Sequence, residues 1–185
     1  MPSRTGMKND EKMANYKEKL PGITTFIFDY DGVMSDGKVW MIDEETQLRN
    51  ADVKDGYALH HALKKGYRVA VISGGKSRSI HERMRYIGVK DVFTQVPYKK
   101  AKYEEYLREN GIKPEEVLYM GDDIPDYEVM KMSGVAACPA DAVMEIQEVA
   151  DYISHKKGGE GCVRDVIEQV MRVRGDWFDE ASLHW

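Results

Sequence analysis

The chain has 185 residues, 27 of them basic and 32 acidic, and a net charge of -5. This length suits one domain that buries roughly two-thirds of its unfolded surface, and the even mixture of charges argues against nucleic acid or an anionic membrane as main partner. The first twenty residues are too charged for a signal peptide, no segment resembles a membrane span, and Cys138 and Cys162 have no metal-ligand spacing, so we expect a soluble protein of the reducing cytoplasm.

Short apolar runs alternate with helical patterns from Ile23 onward. Between the runs, apolar residues recur with a period of about 3.6, as at Ala58, Leu59 and Ala62. Strands separated by helices form βαβ units, so the pattern predicts an α/β fold with a doubly wound, mostly parallel sheet flanked by helices. The predicted strands are "ITTFIFD" (23–29), "YRVAVIS" (67–73), "DVFTQV" (91–96), "VLYMGD" (117–122), "VAACP" (135–139) and "DYIS" (151–154).

One segment, "KVWMIDEETQLRNADV" (38–53), breaks the alternation because it has no helical pattern. It predicts two short strands around an "EET" turn, which would project from the sheet as a flap. We therefore divide the chain into a polar N-terminal extension (1–20), one domain (21–174) and a C-terminal tail (175–185).

Carboxylates follow two of the predicted strands. Asp29 and Asp31 end the first, and Asp122, Asp123 and Asp126 follow the fourth within "GDDIPD". Ligands of an open α/β sheet bind outside the carboxyl ends of its strands, and clustered carboxylates stay ionised together only around a cation. Oxygen ligands without nearby His or Cys predict Mg²⁺.

A phosphate site is predicted beside these carboxylates. Ser73, Gly74 and Gly75 end the second strand, and Lys99 and Lys100 follow the third. A hydroxyl, loop amides and a lysine next to a metal ion form a cradle for phosphate. The expected chemistry is phosphoryl transfer, with Ser73 and Lys99 on the phosphoryl oxygens.

The carboxylates are expected to have different roles. Asp29 is ionised at pH 7 and needs no base, so at the rigid strand end it is the candidate nucleophile. Asp31 would then be the general acid and base, which requires a pKa raised by roughly two to three pH units. Asp29, Asp122 and the backbone carbonyl of Asp31 are the expected Mg²⁺ ligands.

"FDYDG", "ISGG", Lys99 and "GDDIPD", in this order, resemble the four signature motifs of the haloacid dehalogenase superfamily over residues 23–171. The resemblance implies a Rossmann-like fold, Mg²⁺ and an aspartyl-phosphate intermediate. It adds Asp126 as a residue that orients the metal's waters or the lysine, and its spacing favours Lys99 over Lys100. Asp123 is expected either behind the residues that bind the metal or as a helix N-cap, and Asp36 is expected as a turn residue.

"DYDGVMSDG", "VKDGYAL", "GDDIPDYEVM" and "KKGGEGCVRDVIEQV" resemble the capless branch of 3-deoxy-D-manno-octulosonate 8-phosphate phosphatases. The resemblance implies no cap domain, a role in lipopolysaccharide precursor synthesis, and a homotetramer in which neighbouring subunits close each active site. The glycine-rich loop "KKGGEG" (156–161) is then a substrate-closing loop, or a merely flexible one. Trp177, Phe178 and Trp185 make the tail too apolar for a solvated end, and we expect it on a neighbouring subunit near that active site.

Substrate binding is predicted at Lys54, Asp55, Gly74 and Arg83; Asp55 has the alternative role of capping the helix that follows it. Lys54 stands where the family often has an arginine. The lysine ammonium is a point charge, whereas an arginine guanidinium could bind a carboxylate of the substrate bidentately. Nine-carbon sugar acid phosphatases of the same shape resemble a different pattern, which has "SAG" in place of "DGYA" and an acidic residue where Gly75 stands. This favours the eight-carbon substrate. A nine-carbon phosphatase and a non-catalytic subunit stay as alternatives, although no catalytic carboxylate is missing.

Overall fold

Two sheets are present in the computed structural model, which describes residues 16–43 and 46–185. The strands are β1 (Thr25–Phe28), β2 (Trp40–Met41), β3 (Gln47–Leu48), β4 (Arg68–Ile72), β5 (Asp91–Phe93), β6 (Val117–Met120), β7 (Val135–Cys138) and β8 (Tyr152–Ile153). The main sheet has the order β5-β4-β1-β6-β7-β8, and all of its neighbouring strands are parallel. All six strands predicted for the parallel sheet lie in it, so the predicted sheet is confirmed.

Helices cover both faces of this sheet. The α-helices that the structure describes in full are α1 (Val53–Lys64), α2 (Arg78–Ile87), α3 (Lys99–Asn110), α4 (Tyr127–Met132), α5 (Met144–Val149) and α6 (Cys162–Arg174). Buried residues of α1, α2 and α6 pack on one face, and those of α3, α4 and α5 pack on the other. The sheet is therefore doubly wound, as predicted.

Strand β1 lies at the centre of the sheet and is buried on both faces. Phe26 and Phe28 point to the α1 side and Ile27 points to the α3 side, since alternate side chains of a strand face opposite ways. Phe28 is in register with Val71 of β4 and with Met120 of β6. The carboxyl ends of these three strands therefore meet at one edge of the sheet.

The flap and both ends of the domain complete the fold. Strands β2 and β3 pair antiparallel, as predicted for the flap, whereas Glu44 and Glu45 of the predicted "EET" turn and residues 1–15 lie outside the described residues. Tyr16 and Leu20 are buried in the main core, so the packed core extends into the segment predicted as a polar extension. The described residues contain no cap domain, and no helix among them is long and apolar enough to cross a membrane.

Candidate active site

Asp29 directly follows β1 and is the first of the site carboxylates. Its backbone N–H donates to the Met120 carbonyl at 3.0 Å, which continues the strand pairing to the site, and its side chain is only 8% exposed. Gly32, three residues on, has a φ of +87°, and a Cβ there would lie 2.0 Å from Asp122 Oδ2. A residue without a side chain is therefore required where the loop after β1 meets Asp122.

Lys99 lies between two buried carboxylates. Its Nζ is 2.9 Å from Asp29 Oδ1 and 2.8 Å from Asp126 Oδ1, and its side chain is 5% exposed. Lys100, the next residue, is instead paired with Glu128 at the surface. Burial lowers the pKa of Lys99, but the two carboxylates outweigh burial and leave that pKa raised, so Lys99 is a permanent cation in the site.

Asp126 is buried and organises its neighbours. Besides Lys99, the Tyr119 hydroxyl donates to Asp126 Oδ1, and the Asp122 backbone N–H donates to Asp126 Oδ2 at 3.3 Å. Most of its hydrogen-bonding capacity is therefore used within the protein, and its contacts hold both the lysine and the backbone of Asp122. Asp123 is exposed, and its Oδ1 accepts from the Ile124 backbone at 2.8 Å as a helical N-cap.

Asp29, Asp122 and Asp126 offer oxygen atoms that all lie within 4.8 Å of one another. Oδ1 of Asp122 is buried and has no hydrogen-bond partner among the described residues. Burial, and then the neighbouring carboxylates, raise the pKa of Asp29 to about 7 and that of Asp122 to about 8. A hard divalent cation would favour the charged forms, so this all-oxygen set fits Mg²⁺.

The loop after β4 forms the wall of the site cavity that faces the carboxylates. The Ser73 backbone N–H donates to the Phe93 carbonyl at 2.8 Å, and its Oγ accepts from the Gly75 N–H at 3.1 Å. Ser73, Gly74 and Gly75 line a cavity of about 530 Å³ together with Asp29, Asp31, Gly37, Val96, Pro97, Lys99, Asp122, Asp123, Pro125 and Asp126. Hydroxyl and amide groups thus face the carboxylates across a space open to a phosphate group.

Asp31 forms an ion pair that the sequence did not predict. Arg49, which follows β3 of the flap, donates from Nε to Asp31 Oδ1 at 2.5 Å and from Nη2 to Asp31 Oδ2 at 3.0 Å. A bidentate arginine fixes both the position and the orientation of a carboxylate. The signal in the sequence was a basic residue near the end of the flap, but its partner depended on how the flap folds back.

Of the four residues predicted to bind substrate, Gly74 lines this cavity, whereas Lys54, Asp55 and Arg83 are not among its lining residues. Asp55 is buried and accepts from the Arg164 N–H at the start of α6 at 2.7 Å, and burial raises its pKa to about 7. The cap of α1 is Asp52, so the alternative role of Asp55 as cap of that helix is wrong. The hydrogen bond of Asp55 holds the start of α6, and the predicted contact of Asp55 with substrate stays a prediction.

Lys54 and Arg83 also lie outside the cavity lining. Lys54 is exposed on the first turn of α1. Arg83 packs against Gly56, where a Cβ would lie 2.4 Å from Arg83 Nη2. Its buried Nε has no hydrogen-bond partner within the part of the chain that the structure describes. Their predicted contacts with substrate stay predictions.

The glycine-rich loop packs on the loop that follows β1. The Gly159 N–H donates to the Val33 carbonyl at 2.9 Å, and a Cβ on Gly158 would lie 1.9 Å from the Gly32 carbonyl oxygen. Backbone therefore meets backbone at this contact, which leaves no room for side chains. Asp36, as expected, forms a turn: its Oδ1 accepts from the Lys38 N–H at 3.0 Å.

The tail packs on its own chain through Trp177. The indole contacts Tyr57, His61 and Arg164 and is buried, and Trp185 stacks on His60 with ring centroids 4.8 Å apart. Phe178, in contrast, is exposed. The expected contact of the tail with a neighbouring subunit stays a prediction.

Comparison with known proteins identifies the family. A family model described as haloacid dehalogenase-like hydrolase matches residues 52–140. The 3-deoxy-D-manno-octulosonate 8-phosphate phosphatase of Salmonella typhi is 34% identical over 164 residues, which cover 89% of this chain and 87% of the relative. The chain belongs to the haloacid dehalogenase-like hydrolases. The resemblance found in its motifs is confirmed.

Solved structures of this hydrolase family agree with the fold. The phosphatase of the same name from Yersinia pestis has a TM-score of 0.84 at 30% identity, covering 87% of both chains. That of Moraxella catarrhalis, solved with magnesium ion, phosphate ion and a KDO molecule, has a TM-score of 0.83 at 28% identity and covers 86% of this chain and 92% of that one. The likeness spans most of the described domain of this haloacid dehalogenase-like hydrolase.

Proposed function

We propose that this hydrolase is a Mg²⁺-dependent phosphatase that converts 3-deoxy-D-manno-octulosonate 8-phosphate into the free sugar acid and phosphate. The observation that carries the proposal is the mostly buried set formed by Asp29, Asp122, Asp126 and Lys99 beside the Ser73 loop. Its relatives bear the name of this activity over about nine-tenths of the chain. We further propose a cytoplasmic role in lipopolysaccharide precursor synthesis.

The proposed reaction proceeds in two displacements at Asp29. The Asp29 carboxylate attacks phosphorus, a phosphorus–oxygen bond to the sugar breaks, and Asp31 donates a proton to the departing alkoxide. Water then attacks the aspartyl phosphate while Asp31 takes its proton, which releases phosphate and restores Asp29. Each step conserves protons between Asp31, substrate and water.

The remaining residues hold charge in place during these steps. Lys99 and the Ser73 hydroxyl bind the phosphoryl oxygens in a mostly buried site, where such contacts are stronger than in water. Asp29, Asp122 and the backbone carbonyl of Asp31 would hold Mg²⁺, which neutralises phosphate charge when bound. Asp126 positions Lys99, and Asp123 caps the helical turn at the cavity rim.

A homotetramer is part of the proposal, with neighbouring subunits closing each site. Support comes from the flap, which carries the exposed apolar residues Trp40, Met41, Ile42 and Leu48. Apolar surface of this kind favours burial against another subunit. The site cavity is open, and a neighbouring subunit would exclude water from the intermediate.

The eight-carbon substrate is favoured over a nine-carbon one by the space around Gly75. A Cβ at this position would lie 2.7 Å from Asp31 Oδ2 and 2.9 Å from Arg49 Nη2. An acidic side chain here, as the nine-carbon phosphatases have, would overlap the ion pair and repel Asp31. The arrangement of this chain therefore suits the pattern of the eight-carbon branch.

Phosphate release from both sugar acid phosphates, with Mg²⁺ or with EDTA, tests the proposal. We expect Mg²⁺-dependent release with a higher kcat/KM for the eight-carbon substrate. A preference for the nine-carbon substrate would overturn the substrate assignment only. Release of no phosphate from any sugar phosphate, even with Mg²⁺, would instead favour a non-catalytic subunit on the same fold.

A further inference from the structure

The Arg49–Asp31 ion pair joins the flap to the site. Arg49 donates to both oxygens of Asp31, and the Arg49 side chain is 3% exposed, compared with 28% for Asp31. A buried guanidinium is costly unless its charge is paired. Within the described residues, the Asp31 carboxylate is the charged partner that Arg49 contacts, so the folded flap and the orientation of Asp31 are linked.

The flap is anchored on both sides of Arg49. The Ser77 hydroxyl donates to the Gln47 carbonyl at 3.1 Å, and the Asp36 N–H donates to Asn50 Oδ1 at 3.1 Å. These bonds tie the returning flap strand to the start of α2 and to the turn after β1. The backbone of Arg49 is therefore fixed relative to the loop that carries Asp31.

Gly75 provides the space in which the pair forms. A Cβ at this position would come within 3.0 Å of both Asp31 Oδ2 and Arg49 Nη2. The loop after β4, which also carries Ser73, thus closes over the ion pair without a side chain of its own. Three separate segments meet at this contact: the loop after β1, the flap and the loop after β4.

We propose that Arg49 is a positioning residue that holds the Asp31 carboxylate, in its ionised form, in the orientation from which it takes the proton of the attacking water. The flap must then be folded onto the site for full turnover. This inference rests on the proposed function, in which the Asp31 carboxylate takes the proton of the hydrolytic water. Two other roles predict different kinetics: Arg49 as a direct ligand of substrate, and Arg49 as a tether that only stabilises the flap.

A double-mutant cycle distinguishes these roles. The variants are Arg49→Met, Arg49→Lys and Asp31→Ala, and the two doubles with Asp31→Ala; kcat and KM are measured with saturating Mg²⁺. We expect Arg49→Met to lower kcat by about 100-fold, as displacement of a reacting group does, with little change in KM. Arg49→Lys should lie between wild type and Arg49→Met, because an ammonium cannot form the bidentate contact.

The deciding comparison is the effect of Arg49→Met without the Asp31 carboxylate. We expect no further loss of kcat in the Asp31→Ala background, because the residue acts through that carboxylate. Lys38→Met, which changes an exposed basic residue of the same flap, is the matched control and should have wild-type kinetics. Melting temperatures and circular dichroism establish that each variant is folded, and Arg49→Lys carries the cycle if Arg49→Met does not fold.

Three results would overturn the inference. If Arg49→Met lowers kcat by the same factor in the Asp31→Ala background as in wild type, Arg49 acts independently of Asp31. A raised KM with unchanged kcat would make it a substrate ligand, and unchanged kinetics with a lower melting temperature would make it a tether. Phosphate release by the wild-type enzyme tests the proposed function separately from the role of Arg49. If the wild type prefers the nine-carbon substrate, the same double-mutant cycle is run on that substrate.

Discussion

Lys99 bridges Asp29 and Asp126, with its Nζ within 3.0 Å of an oxygen of each. The two carboxylates come from the ends of different strands, and the lysine begins a helix that follows a third. Three distant parts of the chain therefore meet in one buried ionic contact. Such an arrangement is costly to bury, which is consistent with a role in chemistry rather than in stability.

Removal of this lysine should impair both activity and stability. We expect Lys99→Ala to lower kcat by about 100-fold or more, as the loss of one charge-stabilising donor does. It should also destabilise the fold by about 3 kcal/mol, because buried carboxylates lose their partner. Phosphate release and urea unfolding measure the two effects. Lys100→Ala, at an exposed ion pair with Glu128, is the control and should leave stability nearly unchanged; equal effects at both positions would contradict the assignment.

Stabilisation by Mg²⁺ should grow with pH. The pKa values of Asp29 and Asp122 are raised to about 7 and about 8 in the metal-free fold, so the folded state holds these protons more tightly than the unfolded state. Their contribution to stability is therefore present at low pH and is lost as pH rises towards 8. Mg²⁺ requires the ionised forms, so its binding competes with these protons.

Melting temperatures with Mg²⁺ and with EDTA at pH 5.5 and pH 8 check this prediction. We expect Mg²⁺ to increase the melting temperature more at pH 8 than at pH 5.5. In Asp122→Asn this increase should be lost at both pH values. An increase that is the same at both pH values would contradict the proposed ligands.

The tail should contribute to stability through one of its two adjacent aromatic residues. Trp177 is 6% exposed and Phe178 is 76% exposed. We expect Trp177→Ala to destabilise the protein by about 3 to 5 kcal/mol, as the loss of a large buried side chain does. Phe178→Ala should leave the unfolding of the single chain nearly unchanged, and denaturant titration measures both. If Phe178→Ala instead lowers stability in a concentration-dependent way, the tail packs between subunits.

The contact between the glycine-rich loop and the loop after β1 should tolerate no side chain. In Gly158→Ala the new Cβ would meet the Gly32 carbonyl at 1.9 Å, so the loop that carries Asp31 must move. We expect a loss of about 1 to 3 kcal/mol in stability together with a lower kcat. Gly22→Ala, where no atom lies within 4 Å of the new Cβ, is the control. Wild-type kinetics in Gly158→Ala would refute the coupling of this loop to the site.

The sheet and the central carboxylates were predictable because they depend on local patterns. The apolar run before Asp29 and that before Asp122 mark strands, and parallel strands bring their carboxyl ends to one edge. Lys99 was distinguishable from Lys100 only by its spacing within family motifs. Its buried position between Asp29 and Asp126 is consistent with that choice.

Other features depend on contacts between distant segments, which sequence patterns do not encode. Arg49 meets Asp31 only because the flap folds back over the site. Asp55 follows the cap of α1 but bonds to α6, which lies more than a hundred residues further along the chain. Tyr16 has charged neighbours in the sequence, yet it stacks on Tyr152 and packs in the core.

The nucleophile is the central claim, and one variant tests it most directly. Asp29→Asn keeps the size of the side chain but removes the charge that attacks phosphorus. The measurement is Mg²⁺-dependent phosphate release from 3-deoxy-D-manno-octulosonate 8-phosphate, with the melting temperature taken on the same samples. We expect wild type to turn over and a folded Asp29→Asn to release no phosphate above background. Wild-type-like release by the folded variant would contradict the assignment of Asp29 and the mechanism built on it.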